Sequence, residues 1–281
     1  TILALSLGLS IGQKGKNGSQ TISGTGNIVN IFTTLSSDAS TGANTITVAN
    51  SALNSTSYGF GGNLEPGDLI LIIQIQGVDI NGEPNPPAWG GNYGLPIDAT
   101  WGEIIVPGGY NNCGNNEYAE VKSVPNGTSI ELRCGLMNDY TVSGKVQVIR
   151  VPRFDGLTIN GTLTTESWNG NSGGVLAIEV NNNLIINGEI TASTLGFRGG
   201  VSYKSMNLVF GIAHWARPDL ESGGIKGESV RGWHAEYDIN GGRYCKAAPA
   251  NGGGGGNAHN GGGGGGGNAG DVSNWIDGVG V

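Results

Sequence analysis

The residues that could support catalysis or metal binding in this chain are scattered. Four carboxylates occur singly along its middle: Asp155, Glu166, Glu179 and Glu189. Hydrolysis of a glycosidic bond needs two carboxyl groups facing each other across a groove, and no such pair stands out. Calcium needs several acidic oxygens at short spacing, and a nucleophilic triad needs a Ser/His/Asp or Cys/His motif; neither is present. The sequence therefore predicts a non-enzyme without a metal or cofactor.

Aromatic residues suggest binding instead, because a flat ring can stack on a sugar ring. Trp215, Trp233, Tyr237 and Tyr244 lie among interleaved charges in the C-terminal third, and His259 lies between two glycine runs. We predict these five as ligand-binding residues. Packing is the alternative role for the aromatics, and a bond to a backbone carbonyl is the alternative for His259.

The three cysteines do not have the spacing of metal ligands. Cys113 and Cys134 flank a predicted hairpin, so a disulfide between them is one interpretation in an oxidising compartment. Cys245 would then be unpaired. Three separate thiols are the other interpretation.

The elements that position these residues are predicted to be β-strands. Gly is abundant at 54 residues, charged residues make up 13%, and no helical periodicity appears. Predicted strands are Thr45–Val48, Leu69–Gln76, a hairpin of Tyr118–Ser123 with Ser129–Arg133, and Lys145–Val151. Short strands at this spacing predict a small barrel or sandwich over residues 14–153.

Residues 154–200 contain a repeat. Leu157-Thr-Ile-Asn-Gly-Thr-Leu is followed by Leu184-Ile-Ile-Asn-Gly-Glu-Ile, with Gly161 and Gly188 standing 27 residues apart. A strand–turn unit at this period is typical of a parallel β-solenoid, in which each coil buries its face on the next.

Residues 201–281 are rich in glycine, with uninterrupted runs at 252–256 and 261–267. One interpretation is a flexible linker. The favoured one is an ordered bundle of two antiparallel polyglycine II-like arms that exchange backbone contacts. The overall expectation is an all-β chain: barrel or sandwich, short solenoid, then polyglycine bundle.

The first thirteen residues allow two interpretations. Ile2 to Ile11 has the length and apolarity of a signal-peptide core, yet its strict alternation favours a half-buried strand. No apolar run reaches transmembrane length. The net charge of −8, with no basic cluster, excludes a nucleic-acid partner.

Three strings resemble the amino-terminal region of large Bacteroidetes cell-surface adhesins of the SprB-like type: Gly-Asp-Leu-Ile-Leu-Ile-Ile-Gln-Ile-Gln-Gly at 67–77, Asn-Glu-Tyr-Ala-Glu-Val at 116–121 and Lys-Val-Gln-Val-Ile-Arg-Val-Pro-Arg at 145–153. The later strings Tyr-Asp-Ile-Asn-Gly-Gly-Arg-Tyr (237–244) and Ala-Pro-Ala-Asn-Gly-Gly (248–253) fit as well. The resemblance implies type IX secretion, a cell-surface location, and attachment to an external surface or glycan during gliding. It also implies a chain that is an amino-terminal piece of a longer, outer-membrane-associated protein that does not itself span the membrane.

Two other roles stay open. The chain could be a docking module for the secretion or gliding machinery. It could also be a receptor-binding tip, because its glycine runs resemble the polyglycine bundles of phage tail-tip adhesins.

Overall fold

A computed structural model describes residues 2–5, 13–55, 62–81, 102–200, 226–233, 235–238 and 249–253. The chain divides into two compact units. The first unit comprises Thr1–Ile75 and Gly114–Gly196, and the second comprises Gln76–Cys113 and Phe197–Val281. The described residues are almost entirely β-structure and loops, as the composition predicts, with one 3₁₀ turn at Val142–Gly144 and one helical turn, α1, at Ala235–Asp238.

Most strands of the described residues are short, and all of them lie in the first unit. In chain order they are β1 (Ile2–Leu5), β2 (Gln20–Ile22), β3 (Asn27–Ile28), β4 (Ile31–Thr34), β5 (Thr45–Thr47), β6 (Leu69–Gln74), β7 (Asn116–Asn126), β8 (Ser129–Leu132), β9 (Val146–Val151), β10 (Arg153–Phe154), β11 (Leu157–Ile159), β12 (Thr162–Thr164), β13 (Val175–Val180), β14 (Leu184–Ile186) and β15 (Glu189–Ile190).

Six antiparallel strands form one curled sheet in the order β4-β9-β6-β7-β8-β5, which we call the barrel sheet. Its two edge strands meet at a bridge between Leu35 and Val48. Backbone hydrogen bonds from Ser36 N to Thr47 O (2.8 Å) and from Ala49 N to Thr34 O (2.9 Å) join the edges there. The predicted strands and hairpin of residues 45–151 are confirmed, with ends shifted by up to three residues.

The barrel sheet buries apolar side chains on both faces of its central strands. Ile70, Ile72 and Val148 point into an interior cluster, whereas Leu71 and Ile149 belong to an outer cluster with residues of β13. Every residue of β6 and β9 is buried. This explains why Leu-Ile-Leu-Ile-Ile has no polar alternation: a strand covered on both faces reads as a continuous apolar run.

The remaining strands form three short parallel sheets. Apart from β1, these strands make a β-solenoid of three coils. Coil 1 contains β2 and β3, coil 2 contains β10 to β12, and coil 3 contains β13 to β15. Leu157 of coil 2 pairs with Leu184 of coil 3, so the 27-residue repeat is the register of the stack. The predicted parallel β-solenoid is thus confirmed.

Coil 1 is a third copy of the repeat that sequence reading missed. Gln20-Thr-Ile-Ser-Gly-Thr aligns with Leu157-Thr-Ile-Asn-Gly-Thr, since Gln20 pairs with Leu157 and Ile22 with Ile159. The whole barrel sheet and the Gln76–Cys113 part of the second unit lie between these copies in sequence. The chain leaves coil 1 through β4 and returns to coil 2 through β9, and β4 and β9 are paired neighbours.

Glycines stack at one corner of the coils. A Cβ on Gly161 would lie 1.9 Å from Gly24 O, and a Cβ on Gly188 would lie 2.0 Å from Gly161 O. Only glycine permits so close an approach of backbones. Beside them, Asn187 Nδ2 donates to Asn160 Oδ1 at 2.9 Å, which links the turns of coils 2 and 3.

A buried ionic network joins the coils to the barrel sheet. Arg153, which is fully buried, pairs with Glu179 on coil 3 and with Glu120 on β7, and donates to Gly67 O. Burial acts to lower the pKa of Arg153, but its hydrogen bonds to the two carboxylates outweigh burial and raise the pKa. The guanidinium therefore stays charged in the interior.

The N-terminal residues Ile2–Leu5 form a strand that pairs in parallel with β13. Residues 6–12 lie outside the described residues, and a retained strand and a signal remnant are both still predictions for them.

The second unit has a small apolar cluster. Val78 and Ile80 are buried in it, and Ile104, Cys113 and Val230 pack against them. Gly227 N donates to Gly253 O at 2.9 Å, and a Cβ on Gly252 would lie 2.7 Å from Gly227 O. Residues 254–256 and the whole second run, 261–267, lie outside the described residues, and the polyglycine bundle stays a prediction.

Candidate functional site

A cleft of about 260 Å³ opens in the first unit, where three segments of the chain meet. Its lining comes from residues 28–32 at the junction of β3 and β4, from Asn54 and Ser55 after β5, and from Glu166 after β12. Pockets that enclose drug-sized ligands measure roughly 300–1,000 Å³, so this cleft suits a single small ring or a short segment of a larger ligand.

The floor of the cleft is fixed by Asn30, which is buried. Its Nδ2 donates to Arg150 O (3.1 Å) and to Ala177 O (2.7 Å), and its Oδ1 accepts from Ala177 N (2.9 Å). This side chain bridges β9 of the barrel sheet and β13 of coil 3, and all of its contacts are internal. Asn30 therefore shapes the cleft and is not available to a ligand.

One wall is held by a buried arginine. Arg150 Nη1 donates to Leu53 O (3.0 Å) and Gly62 O (2.8 Å), and its Nη2 pairs with Asp68 at 2.6 Å. Burial lowers the pKa of Arg150, and Asp68 acts in the opposite direction. Asn54, next to Leu53, donates from Nδ2 to Asn63 Oδ1 at 2.6 Å. The wall is thus braced from behind by charge-assisted hydrogen bonds.

The open side of the cleft carries a mixed set of side chains. Phe32 is half-buried and packs against the outer apolar cluster of the barrel sheet. Glu166 is exposed, and none of the ion pairs among the described residues includes it. An aromatic ring beside an amide, a hydroxyl and a carboxylate offers an apolar surface together with hydrogen-bonding groups for hydroxyls.

Two of the five predicted ligand-binding residues lie in the described part of the second unit. Arg198 lies over the Trp233 ring, 3.9 Å from its centroid, and is held there by two hydrogen bonds to Glu228. Tyr237 is fully buried, and its hydroxyl accepts from Lys226 N (3.0 Å) and donates to Lys226 O (3.1 Å).

Tyr237 therefore anchors the backbone at Lys226. These contacts are internal, which agrees with packing, the alternative role given above for the aromatics. Trp233 is half-buried under the guanidinium. Trp215, Tyr244 and His259 lie outside the described residues. Sequence reasoning named Glu166 among the scattered carboxylates but missed the other cleft residues, because each is unremarkable in its own segment.

The scattered carboxylates have different surroundings. Glu179 is neutralised by Arg153, and Asp155 accepts from Asn181 Nδ2 (3.1 Å) and Asn182 Nδ2 (2.8 Å). Glu166 is the carboxylate that lines the cleft, and Glu189 is exposed on coil 3. Among the described residues, no group of three or more His, Cys, Asp or Glu is placed to hold a metal ion.

The Cys113–Cys134 disulfide, one of the two interpretations of the sequence, is not formed: both residues carry thiols. Cys134 is exposed after β8 in the first unit, whereas Cys113 packs in the apolar cluster of the second. The hairpin that suggested the pairing begins at Asn116, and Cys113 precedes it in a separate turn. Burial raises the pKa of the Cys113 thiol to about 11.

The fold and site define an all-β protein in which a barrel sheet interrupts a parallel β-solenoid. No protein-family model and no curated protein matches the chain. No helix in the described part of the chain has the length and apolarity to cross a membrane.

Three phage tailspikes are among the solved structures that the chain resembles. The tailspike of Pseudomonas phage phi297 is 14% identical with a TM-score of 0.24, and the match covers 62% of this chain and 25% of that chain. The tailspike of Pseudomonas phage LKA1 is 17% identical with a TM-score of 0.22, and the match covers 52% of this chain and 24% of that chain. The tailspike of Acinetobacter baumannii bacteriophage AP22, in complex with an A. baumannii capsular saccharide, is 13% identical with a TM-score of 0.26, and the match covers 62% of this chain and 29% of that chain. The chain spans about a quarter of the length of these tailspikes. Likeness at these TM-scores identifies neither a family nor a function.

Proposed function

We propose that this chain is a non-catalytic, glycan-binding module of a secreted cell-surface adhesin. The observation that carries the proposal is the cleft lined by Phe32, Asn54, Ser55 and Glu166. Sugar rings present an apolar face and a rim of hydroxyls, and a half-buried aromatic ring beside polar side chains complements both.

The rigid wall and floor support this role. Asn30 and the two Nη atoms of Arg150 make their hydrogen bonds within the protein, so the cleft is formed before a ligand arrives. A preformed site loses little conformational entropy on binding, which matters for a small ligand with few contacts.

The cleft also supports a non-catalytic role. Its described lining contains one carboxylate, Glu166, whereas glycoside hydrolysis requires a facing pair. The adhesin part of the proposal, with type IX secretion, gliding and an outer-membrane-associated surface location, rests on the strings at 67–77, 116–121 and 145–153.

A glycan array followed by titration calorimetry on the full chain tests binding. We expect at least one class of glycan to bind, and Phe32→Ala to weaken that binding at least about tenfold, since the aromatic anchor is lost. Tyr118→Ala is the matched control, because Tyr118 packs against the same outer cluster but does not line the cleft.

Binding that survives Phe32→Ala, or falls equally in both variants, would place the glycan elsewhere. A chain that binds no glycan but captures transport or motor components from an outer-membrane extract would favour the docking role. Release of reducing ends from any bound glycan would overturn the non-catalytic part.

The surface location needs its own measurement. Antibody labelling of intact source cells, compared with lysed cells, should detect the chain on the outside. A signal that appears only after lysis would reject the adhesin proposal and leave the cleft's binding unaffected.

A further inference from the structure

Glu166 gives the cleft a charge that the ligand must accommodate. It is the one ionisable side chain among the described lining residues. The cation bonded to the cleft wall, Arg150, is committed to Asp68 behind it, and both of these side chains are at most 5% exposed. The charge facing a ligand is therefore negative.

A negative cleft discriminates between sugar classes. A sugar acid such as a uronic or sialic acid would bring its carboxylate toward Glu166, and like charges at contact distance repel each other strongly once water is displaced. A neutral sugar can instead donate hydroxyl hydrogens to the carboxylate, and an amino sugar can donate from its ammonium group. Hydrogen bonds to an ionised oxygen are about twice as strong as neutral ones.

Two adjacent ring hydroxyls match a carboxylate well, because its two oxygens can each accept one hydrogen bond in the same plane. Phe32 supplies the apolar surface for the ring itself. Phe32 and Glu166 therefore have different roles: the aromatic ring holds any pyranose ring, and Glu166 determines which ring substituents are accepted.

We infer that this cleft takes neutral or amino sugars with a free pair of vicinal hydroxyls and rejects acidic sugars, with Glu166 as the residue that determines this choice. The inference rests on the proposed glycan-binding function and adds the ligand class to it.

The test uses the full chain with three probes in calorimetry: methyl galactoside as a neutral sugar, glucosamine as an amino sugar, and glucuronic acid as an acidic sugar. We expect the acidic sugar to bind at least about tenfold more weakly than the other two. Glu166→Gln should weaken the neutral sugar about 5–10-fold, because a charge-assisted hydrogen bond becomes a neutral one. Glu166→Lys should reverse the preference.

Glu189→Gln is the matched control, because it removes the same charge from an exposed position on coil 3 outside the cleft. Its binding constants should equal those of the wild type. Urea midpoints of all variants should agree with that of the wild type, since Glu166 is exposed and unpaired among the described residues.

The outcomes separate this inference from the proposed function. Neutral-sugar binding that is lost in Phe32→Ala but unchanged in Glu166→Gln overturns the role of Glu166 and leaves glycan binding intact. Equal affinity for glucuronic acid in the wild type does the same. Absence of binding to these probes and to every glycan on the array overturns both.

Discussion

Replacing Gly161 by alanine tests the stacking of the coils most directly. The added Cβ would lie 1.9 Å from Gly24 O, and ordinary contact begins at 3.4 Å, so coils 1 and 2 must separate by about 1.5 Å at this corner. The neighbouring turn is held by three backbone hydrogen bonds: Asn160 N to Ile22 O (2.8 Å), Gly161 N to Ile22 O (3.1 Å) and Thr162 N to Gly24 O (2.8 Å).

A separation of that size lengthens these contacts beyond hydrogen-bonding distance. At about 0.5–1.5 kcal/mol net for each bond, the expected destabilisation is about 2–4 kcal/mol. Urea unfolding measures it as a lower midpoint at unchanged slope. Amide hydrogen exchange locates it, since protection should fall at residues 160–162 before it falls in the barrel sheet.

Gly127→Ala is the control. Gly127 lies in the turn between β7 and β8, has no atom within 4 Å of its would-be Cβ, and does not occupy the left-handed region. Its free energy of unfolding should change by no more than about 0.5 kcal/mol. Gly188→Ala, whose Cβ would lie 2.0 Å from Gly161 O, should repeat the effect one coil further on. If Gly161→Ala and Gly127→Ala have the same free energy of unfolding, the close backbone approach of coils 1 and 2 at Gly161 is wrong.

Two further predictions concern buried groups. Arg153→Met should lower the free energy of unfolding by about 3–5 kcal/mol, because it leaves Glu179 buried without its cation. Adding Glu179→Gln should restore part of this stability. Equal stability of the single and double variants would contradict a destabilisation caused by the unpaired Glu179 carboxylate. At pH 8 iodoacetamide should label the exposed Cys134 much faster than Cys113, whose pKa of about 11 keeps all but about 0.1% of the thiol protonated. The Cys113 rate should rise about tenfold per pH unit up to about pH 11. A rate at pH 8 that matches that of Cys134 would show that the apolar cluster does not desolvate the Cys113 thiol.

The strands of the barrel sheet and the solenoid period could be predicted because both arise from local patterns. Leu157 and Leu184 stand in the same register that the repeat indicates. The third copy at Gln20–Ile22 was missed because more than a hundred residues of other structure separate it from coil 2. Its first strand also begins with the exposed Gln20 where the other two copies have Leu.

The cleft could not be predicted from the sequence. Phe32, Asn54 and Glu166 come from three separate segments, and only the pairing of β4 with β9 and the stacking of coil 2 on coil 1 bring those segments together. The spacing of these residues in the sequence does not indicate that the three segments lie together in the fold. Tyr237 is the opposite case, because the sequence pattern, an aromatic among charges, suggested ligand binding. In the structure its hydroxyl bonds internally to Lys226.

The interruption of the solenoid by the barrel sheet has a consequence for synthesis. Gln20 pairs with Leu157, so coil 1 leaves the ribosome 137 residues before its neighbour. At 5–20 residues per second this is a delay of roughly 7–27 s, during which coil 1 has no parallel partner. A nascent chain that ends before residue 157 therefore lacks the partner strand for coil 1, and the solenoid is completed only after the whole barrel sheet has been synthesised.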